Sequence, residues 1–523
     1  MRRLRSVEIF DSTLRDGAQG EGISFSVQDK LNIVKALDDF GVAYIEAGNP
    51  FSNPKDAAFF ERVKGLRLKS AKLCAFGSTC RKNIAPCDDE NVAALLKANT
   101  ETITIFGKAS ELHVTEILRA TPEENLAIVE DTVRFLKDNG REVIFDAEHF
   151  FDGCEANPEY ALEVLRAAVR GGADVLCLCD TNGGTSPLDL YGAVKRVCGA
   201  FPDRRVGIHC HNDAGCATAN SLLAVEAGAV QVQGTFIGFG ERCGNADLSA
   251  VIPNLMLKHG YEIPGVKLET LSETAFRIAE IANLSIRSDK PFIGRSAFAH
   301  KGGMHIDGVC KLPASFKHID PAAVGNRRRF LASEVSGRTT VLEKAVRIAP
   351  ELKKDSPETA RIVEKLKELE SDGYQFEAAD ASFELLILKL LGRYQPYFSL
   401  IQYKTTGEFP TPDGSTSAYA MIQIRVDGKT ETAASTGNGP VNALDLALRK
   451  ALSVFYPQLA KVHLTDYKVR VLGAENATAA KVRVLIESSD GEHVWTTVGV
   501  ATDIIEASWI ALVDSLEYKL ING

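Results

Sequence analysis

Between residues 7 and 260 or so, short apolar runs alternate with stretches whose apolar residues recur at helical spacing. Residues 7–10, 44–47, 73–76, 102–106, 143–147, 175–178, 206–209 and 230–234 read as strands. Residues 27–40, 122–139, 158–170 and 187–197 read as amphipathic helices, and the last three open with proline, whose missing N–H is no loss in a first turn. Eight β–α units in about 250 residues is the count of a TIM barrel. A catalytic barrel domain is therefore expected over 1–265.

From 266 to 380 charged helical sequence dominates, for example over 357–371, and predicts a helical linker or lid subdomain. It contains one glycine-rich island, Ala297-Phe298-Ala299-His300-Lys301-Gly302-Gly303-Met304-His305-Ile306-Asp307-Gly308. That island reads either as a lid placed near chemistry or as a surface loop whose glycines serve turns. Residues 405–417, rich in Thr, Pro, Gly and Ser, read as a linker. A degenerate repeat follows: a hairpin turning at Asp427-Gly428 and a helix over 441–454, echoed by a hairpin turning at Asp490-Gly491 and a helix over 504–520. The fold class expected is thus α/β: a TIM (β/α)8 barrel, a helical linker, and a C-terminal α/β regulatory domain over 381–523 built from a ββα-type repeat.

In a barrel, chemistry sits where strands end. Arg15 and Asp16 follow the first strand, Glu148 and His149 the fifth, Asp180, Thr181 and Asn182 the sixth, and Gly240-Glu241-Arg242-Cys243-Gly244-Asn245 the eighth. The seventh ends in His209-Cys210-His211-Asn212, and residues two apart on a strand share a face. Two imidazoles aimed into one cavity chelate a divalent cation, although two histidines that merely hydrogen-bond at a strand end would read the same. Asp16, His209, His211 and Asn245 would complete a mixed nitrogen and oxygen shell. A 2-oxo acid could chelate such an ion while Arg15 stabilises oxyanion charge, and His305, or Glu148 acting with it, is the candidate general base. The first β–α turn lacks the G-x-G-x-x-G fingerprint, and Gly238-Phe239-Gly240 is too short to mark a nucleotide site.

Composition narrows the class of partner. The net charge of -9, with Arg327-Arg328-Arg329 the one compact basic run, argues against nucleic acid or an anionic membrane. No apolar run approaches a membrane span, and the basic Met1–Arg5 leads straight into a strand rather than a secretory signal. The 11 cysteines include no C-x-x-C pair and fit reduced cytoplasmic thiols.

Three motifs carry a family resemblance: Asp11-Ser12-Thr13-Leu14-Arg15-Asp16-Gly17, the His209/His211 pair, and Gly238-Phe239-Gly240-Glu241-Arg242-Cys243-Gly244-Asn245. Together they resemble the signatures of the metal-dependent Claisen condensation barrels, namely the isopropylmalate, homocitrate and citramalate synthases, with 3-hydroxy-3-methylglutaryl-CoA lyase as a relative. The resemblance covers nearly the whole chain. It is strongest to the citramalate branch at Ser52-Asn53-Pro54-Lys55-Asp56, at 300–309, at Glu487-Ser488-Ser489-Asp490-Gly491 and at Ile504-Ile505-Glu506-Ala507-Ser508-Trp509.

The resemblance implies a divalent metal ion (Mn, Mg or Zn) on Asp16, His209 and His211 with Asn245 as a weaker ligand, and Arg15 on the keto oxygen. It implies that Glu148 and Thr181 contact the 2-oxo acid, that His305 is a catalytic base delivered from the partner subunit of a homodimer, and that Asp11 is structural. Acetyl-CoA would be the co-substrate, pyruvate the acceptor, and isoleucine the feedback effector of the C-terminal domain, in a threonine-independent isoleucine route. A larger 2-oxo acid, as in the isopropylmalate or homocitrate branches, and a non-catalytic metabolite sensor are the rival readings. Two departures stand out: Phe316 where many relatives carry tyrosine, and Asn49 where similar citramalate synthases carry a large aromatic residue.

Overall fold

The eight apolar runs are strands because they are buried on both faces, as parallel strands under crossover helices must be. β1 (Glu8–Asp11), β2 (Tyr44–Glu46), β3 (Lys72–Ser78), β4 (Thr102–Lys108), β5 (Glu142–Glu148), β6 (Val175–Asp180), β7 (Arg205–Cys210) and β8 (Gln231–Gly234) pair in chain order, and β8 closes on β1. The computed structural model describes residues 6–300, 303–330, 345, 348–353, 355–407, 418–472 and 480–523. Within the barrel, Phe10, Tyr44, Cys74, Ile144, Val175, Cys177 and Cys179 form an apolar plug. The outward side chains pack on the surrounding helices in one continuous core.

The helices start and stop where the sequence says they should. Val27–Phe40 and Pro122–Asp138 begin with reciprocal capping boxes, Ser26 with Asp29 and Thr121 with Glu124. Val27–Phe40 ends at Gly41, whose φ of 103° is left-handed and where a Cβ would fall 1.9 Å from the carbonyl oxygen of Gly265, so only glycine fits.

The N-terminal end of the barrel is sealed by charge. The Glu142 carboxylate accepts from Tyr44 Oη (2.9 Å), Lys72 Nζ (2.9 Å), Thr102 Oγ1 (2.8 Å) and Arg205 Nη1 (3.2 Å), and Arg205 also pairs with Glu8. Glu8, Tyr44, Lys72, Thr102, Glu142 and Arg205 each open their strand, so this end is committed to holding the barrel together. The opposite end is left for chemistry.

Two compact units divide the described chain. One runs to Phe298 and takes in Ile319–Arg328; the other comprises Ala299–His318 and Arg329–Gly523. The helical sequence expected over 266–380 is shared between them, with Leu271–Ile281 in the first and Pro357–Ser371 in the second. In the second unit β9 (Ala299–His300) pairs with β10 (Arg329–Phe330). The glycine-rich island is not an open loop, because Gly303–Lys311 is helical; Lys301 and Gly302 lie outside the described residues.

The C-terminal repeat is present, with one more strand per half than the sequence indicated. β11 (Ser399–Gly407), β12 (Ala418–Val426) and β13 (Lys429–Gly437) form one antiparallel sheet before the helix Pro440–Ser453. β14 (His463–Leu472), β15 (Lys481–Ser489) and β16 (Val494–Ala501) form the other before Ile504–Asn522. Residues 405–407, read as linker, are the end of β11, while 408–417 lie outside the described residues. β11 and β14 escaped notice because they are largely exposed sheet-edge strands with no buried alternating face. The Asp427-Gly428 turn is as expected, with φ of 46° and 79°.

Inside this unit Glu517 is 1% exposed and takes hydrogen bonds from Tyr394 Oη and the Tyr397 N–H. Burial pushes its carboxyl up to about 7 from an ordinary 4.5, against the opposing charge of Lys389. A folded state that keeps a proton the unfolded chain has lost becomes less stable as pH rises between those values. Glu517→Gln should therefore raise stability at pH 8 by on the order of 3 kcal/mol and leave it unchanged at pH 4. Urea unfolding followed at both pH values checks this.

Candidate active site

β1 and β7 bring the central side chains together. Asp16 sits one turn beyond β1, and His209 and His211 straddle the end of β7, with His209 opposite Gln233 of β8 in register. His209 Nε2 lies 3.4 Å and His211 Nε2 3.7 Å from Asp16 Oδ2, and the two imidazole centroids are 5.2 Å apart. All three residues are buried, and their ligand atoms lie within 4.8 Å of one another. Asn245, held by an isolated bridge to His211, points its Nδ2 at His209 Nε2 at 3.4 Å. A Cβ on Gly240 would fall 2.0 Å from Asn245 Oδ1, so glycine there makes room for that amide.

Arg15 organises the carboxylates. Its Nε donates to Glu46 (2.6 Å) and its Nη1 to Asp16 (2.8 Å), while the guanidinium lies 3.9 Å from the centroid of the Phe76 ring. Its Nη2 makes no hydrogen bond among the described residues. Burial works against the guanidinium charge, but Glu46, Asp16 and Asp146 outweigh it and hold Arg15 firmly protonated. Burial would likewise raise the Asp16 carboxyl, yet Arg15, His209 and His211 keep it well below the usual carboxylate range. His209 is raised because Asp16 overcomes the effect of burial, whereas burial and the neighbouring His209 push His211 down to about 4. The ionised Asp16 and the neutral His211 are in the protonation states of metal ligands.

These groups open on a cavity of about 200 Å³ at the C-terminal mouth of the barrel, lined also by Gln19, Phe106, Asp146, Glu148, Cys179, Thr181 and Glu241. Phe76 and Phe106 stack at 5.4 Å and form an apolar wall. Glu148 pairs with Lys108, and Thr181 Oγ1 accepts from the His149 N–H at 2.8 Å. His149 is in the left-handed region, φ 57°, a strained conformation next to Glu148.

The structure thus gathers Arg15, Asp16, Glu148, Thr181, His209, His211 and Asn245 around the barrel mouth. His305 belongs to the other unit, on the helix Gly303–Lys311, where its exposed ring stacks on Phe316 with centroids 4.5 Å apart. Asp11 accepts from the Thr13 N–H and Oγ1, and Thr13 Oγ1 in turn accepts from the Phe236 N–H, which ties β1 to the loop after β8. Sequence reasoning missed Glu46, Asp146, Gln233, Phe76 and Phe106. Glu46 carried the signal that flagged Glu148, a carboxylate ending an apolar strand.

The donor set fits a divalent ion. Asp16 Oδ1, Asn245 Oδ1 and His211 Nδ1 are buried without hydrogen-bond partners among the described residues, a costly state for polar atoms unless a ligand completes them. Nitrogen with hard oxygen suits Mn, Mg or Zn. A second close trio, Asp146, Cys177 and Cys179, is a poorer candidate. Burial holds the Cys177 thiol protonated; for Cys179 the contact with Cys177 acts downward, yet burial still leaves it at about 11.

Comparison with known proteins agrees with this geometry. The HMGL-like family profile matches residues 6–278, a homocitrate synthase post-HMGL domain-like profile matches 292–373, and the LeuA allosteric (dimerisation) domain profile matches 377–520. The chain is 51% identical to the (R)-citramalate synthase of Aquifex aeolicus (strain VF5), covering 99% of this chain and 98% of that one. It is 49% identical to the (R)-citramalate synthase of Geobacter sulfurreducens, covering 98% and 97%. Identity falls to 34%, over 97% of both chains, for a probable 2-isopropylmalate synthase of Methanopyrus kandleri.

Proposed function

Because the chain belongs to the HMGL-like family, and within it to the (R)-citramalate synthases, we infer that it condenses acetyl-CoA with pyruvate to give (R)-citramalate and CoA. The observation that carries this reading is the Asp16, His209 and His211 trio beside the unspent arm of Arg15, inside a small cavity with an aromatic wall. Identity of 44–51% to (R)-citramalate synthases, against 30–34% to isopropylmalate synthases, favours pyruvate over the larger 2-oxo acids. A sensor without catalysis would have no use for the full constellation.

Asp16, His209, His211 and Asn245 would hold the divalent ion, which when bound supplies a Lewis acid for a keto group. Arg15, fixed by Glu46 and Asp16 on the cavity wall, keeps Nη2 for the negative charge developing on the keto oxygen. Glu148 and Thr181 orient the 2-oxo acid, and Phe76 and Phe106 exclude water and limit chain length. His305 removes a methyl proton of acetyl-CoA, and the enolate carbon bonds to C2 of pyruvate as the keto C=O π bond opens and its oxygen takes up a proton to become the product hydroxyl. Water then cleaves the thioester, releasing CoA and a carboxylate. Phe316 has no hydroxyl to assist His305, so it contributes only the stacked face of its ring.

We place the enzyme in the cytoplasm as a homodimer in which each subunit's His305 serves the other's barrel. The match to a LeuA allosteric (dimerisation) domain supports the dimer and an amino-acid effector, for which we propose isoleucine. The ten cysteines described are free thiols, which fits a reducing compartment. None of the described helices is long and apolar enough to cross a membrane.

Exhaustive chelation should abolish CoA release without changing the far-ultraviolet circular dichroism, and Mn or Mg should restore it. Full turnover in metal-free protein would remove the metal assignment.

A further inference from the structure

Gln233 and Asp146 form a hydrogen-bonded line behind His209. Gln233 Oε1 lies 3.1 Å from His209 Nδ1, and Gln233 Nε2 donates to Asp146 Oδ1 at 3.0 Å. Gln233 is fully buried, and Asp146, on the cavity wall, is 3% exposed. The imidazole is turned so that Nδ1 faces this line while Nε2 faces Asp16 and Asn245.

Donor and acceptor rules then fix the orientation of each group. An ionised Asp146 only accepts, so the NH2 end of the Gln233 amide, as the structure places it, points to Asp146 and the carbonyl end points to His209. A carbonyl oxygen can only accept, so Nδ1 carries a proton. A neutral imidazole protonated on Nδ1 has its lone pair on Nε2, the nitrogen aimed at Asp16. We propose that Asp146 and Gln233 are positioning residues, which lock His209 as the Nδ1–H tautomer and so hold Nε2 ready to ligate the divalent ion. This rests on the metal reading above. The line is built on β5, β8 and β7 of one closed barrel, rigid supports for a ligand that must keep its angle.

Gln231 shows that the arrangement at Gln233 is particular to it. It is also fully buried, two residues earlier on β8, yet neither its Oε1 nor its Nε2 has a hydrogen-bond partner among the described residues. Burial in the barrel alone therefore does not create the line; its geometry at His209 does.

The test is Mn2+ binding, followed by electron paramagnetic resonance of free Mn2+, in the full-length protein and two variants of similar size. Gln233→Met removes both hydrogen bonds, and Gln233→Glu keeps an acceptor for Nδ1–H. Gln233→Met should weaken Mn2+ binding by about 10- to 100-fold, the usual effect of losing such a partner. Gln233→Glu should retain the affinity of the parent. Equal binding by parent and Gln233→Met would overturn the proposal, as would equal weakening in both variants, which would mark Gln233 as a packing residue. If Gln233→Met does not fold, Asp146→Asn, which keeps an acceptor for the amide, and Asp146→Leu, which removes it, decide the matter: only the leucine variant should bind Mn2+ more weakly, and equal affinity would refute the relay. Failure of the parent itself to bind Mn2+ would overturn the metal reading and this inference with it, an outcome distinct from all the others.

Discussion

Arg15→Leu should lower both stability and turnover. The substitution strands two carboxylates, Glu46 at 0% and Asp16 at 2% exposure, that now share one guanidinium. Breaking such a buried pair by removing one partner costs about 3–5 kcal/mol. The melting temperature should fall accordingly. Loss of an oriented donor to developing negative charge lowers kcat by a further ~10²–10³-fold. Arg15→Lys separates the two effects. An ammonium restores the charge between Glu46 and Asp16, so the fold should recover, but it lacks the rigid fork that serves both carboxylates and presents a third arm, so kcat should stay low. Thermal unfolding and steady-state kinetics on both variants check this, and full activity in Arg15→Lys would show that charge alone suffices.

His211→Ala should abolish Mn2+ binding and turnover while leaving the barrel folded. His211 sits just past β7, with Nδ1 making no hydrogen bond among the described residues and Nε2 facing Asp16, so its removal breaks no hydrogen bond that holds the barrel. Burial and His209 already hold it neutral, with its pKa down at about 4, so no ion pair is lost at neutral pH. Removing a Lewis-acid site is worth several kcal/mol in the transition state, or about 10³-fold and more in rate. Calorimetric titration with Mn2+ and assay of CoA release measure the two effects in the same preparation. Retained metal affinity would transfer the ligand role elsewhere.

The barrel was legible because short apolar runs and helix punctuation agree along its length. The proline starts at Pro122, Pro158 and Pro187 all fall where helices begin. The site was legible where chemistry clusters in sequence, as in Arg15-Asp16 and His209-x-His211. It was not legible where a partner arrives from a distant strand: Glu46 meets Arg15 across 31 residues, and Asp146 meets Gln233 across 87. Such contacts are consequences of barrel closure, which only the three-dimensional register supplies. The glycine-rich island failed for a different reason. Its glycines suggested a loop, but Gly303 and Gly308 lie within a helix, which tolerates glycine at a cost of about 1 kcal/mol each. The edge strands β11 and β14 carried too little buried alternation to be distinguished from linker.

The most direct test of the account offers pyruvate, 2-oxobutyrate, 2-oxoisovalerate and 2-oxoglutarate in parallel with acetyl-CoA and Mn2+, and follows CoA release with chiral chromatography of the product. The highest kcat/KM is expected for pyruvate, with (R)-citramalate as product. A preference for 2-oxoisovalerate or 2-oxoglutarate, or no CoA release with any acid in metal-replete protein, would contradict it.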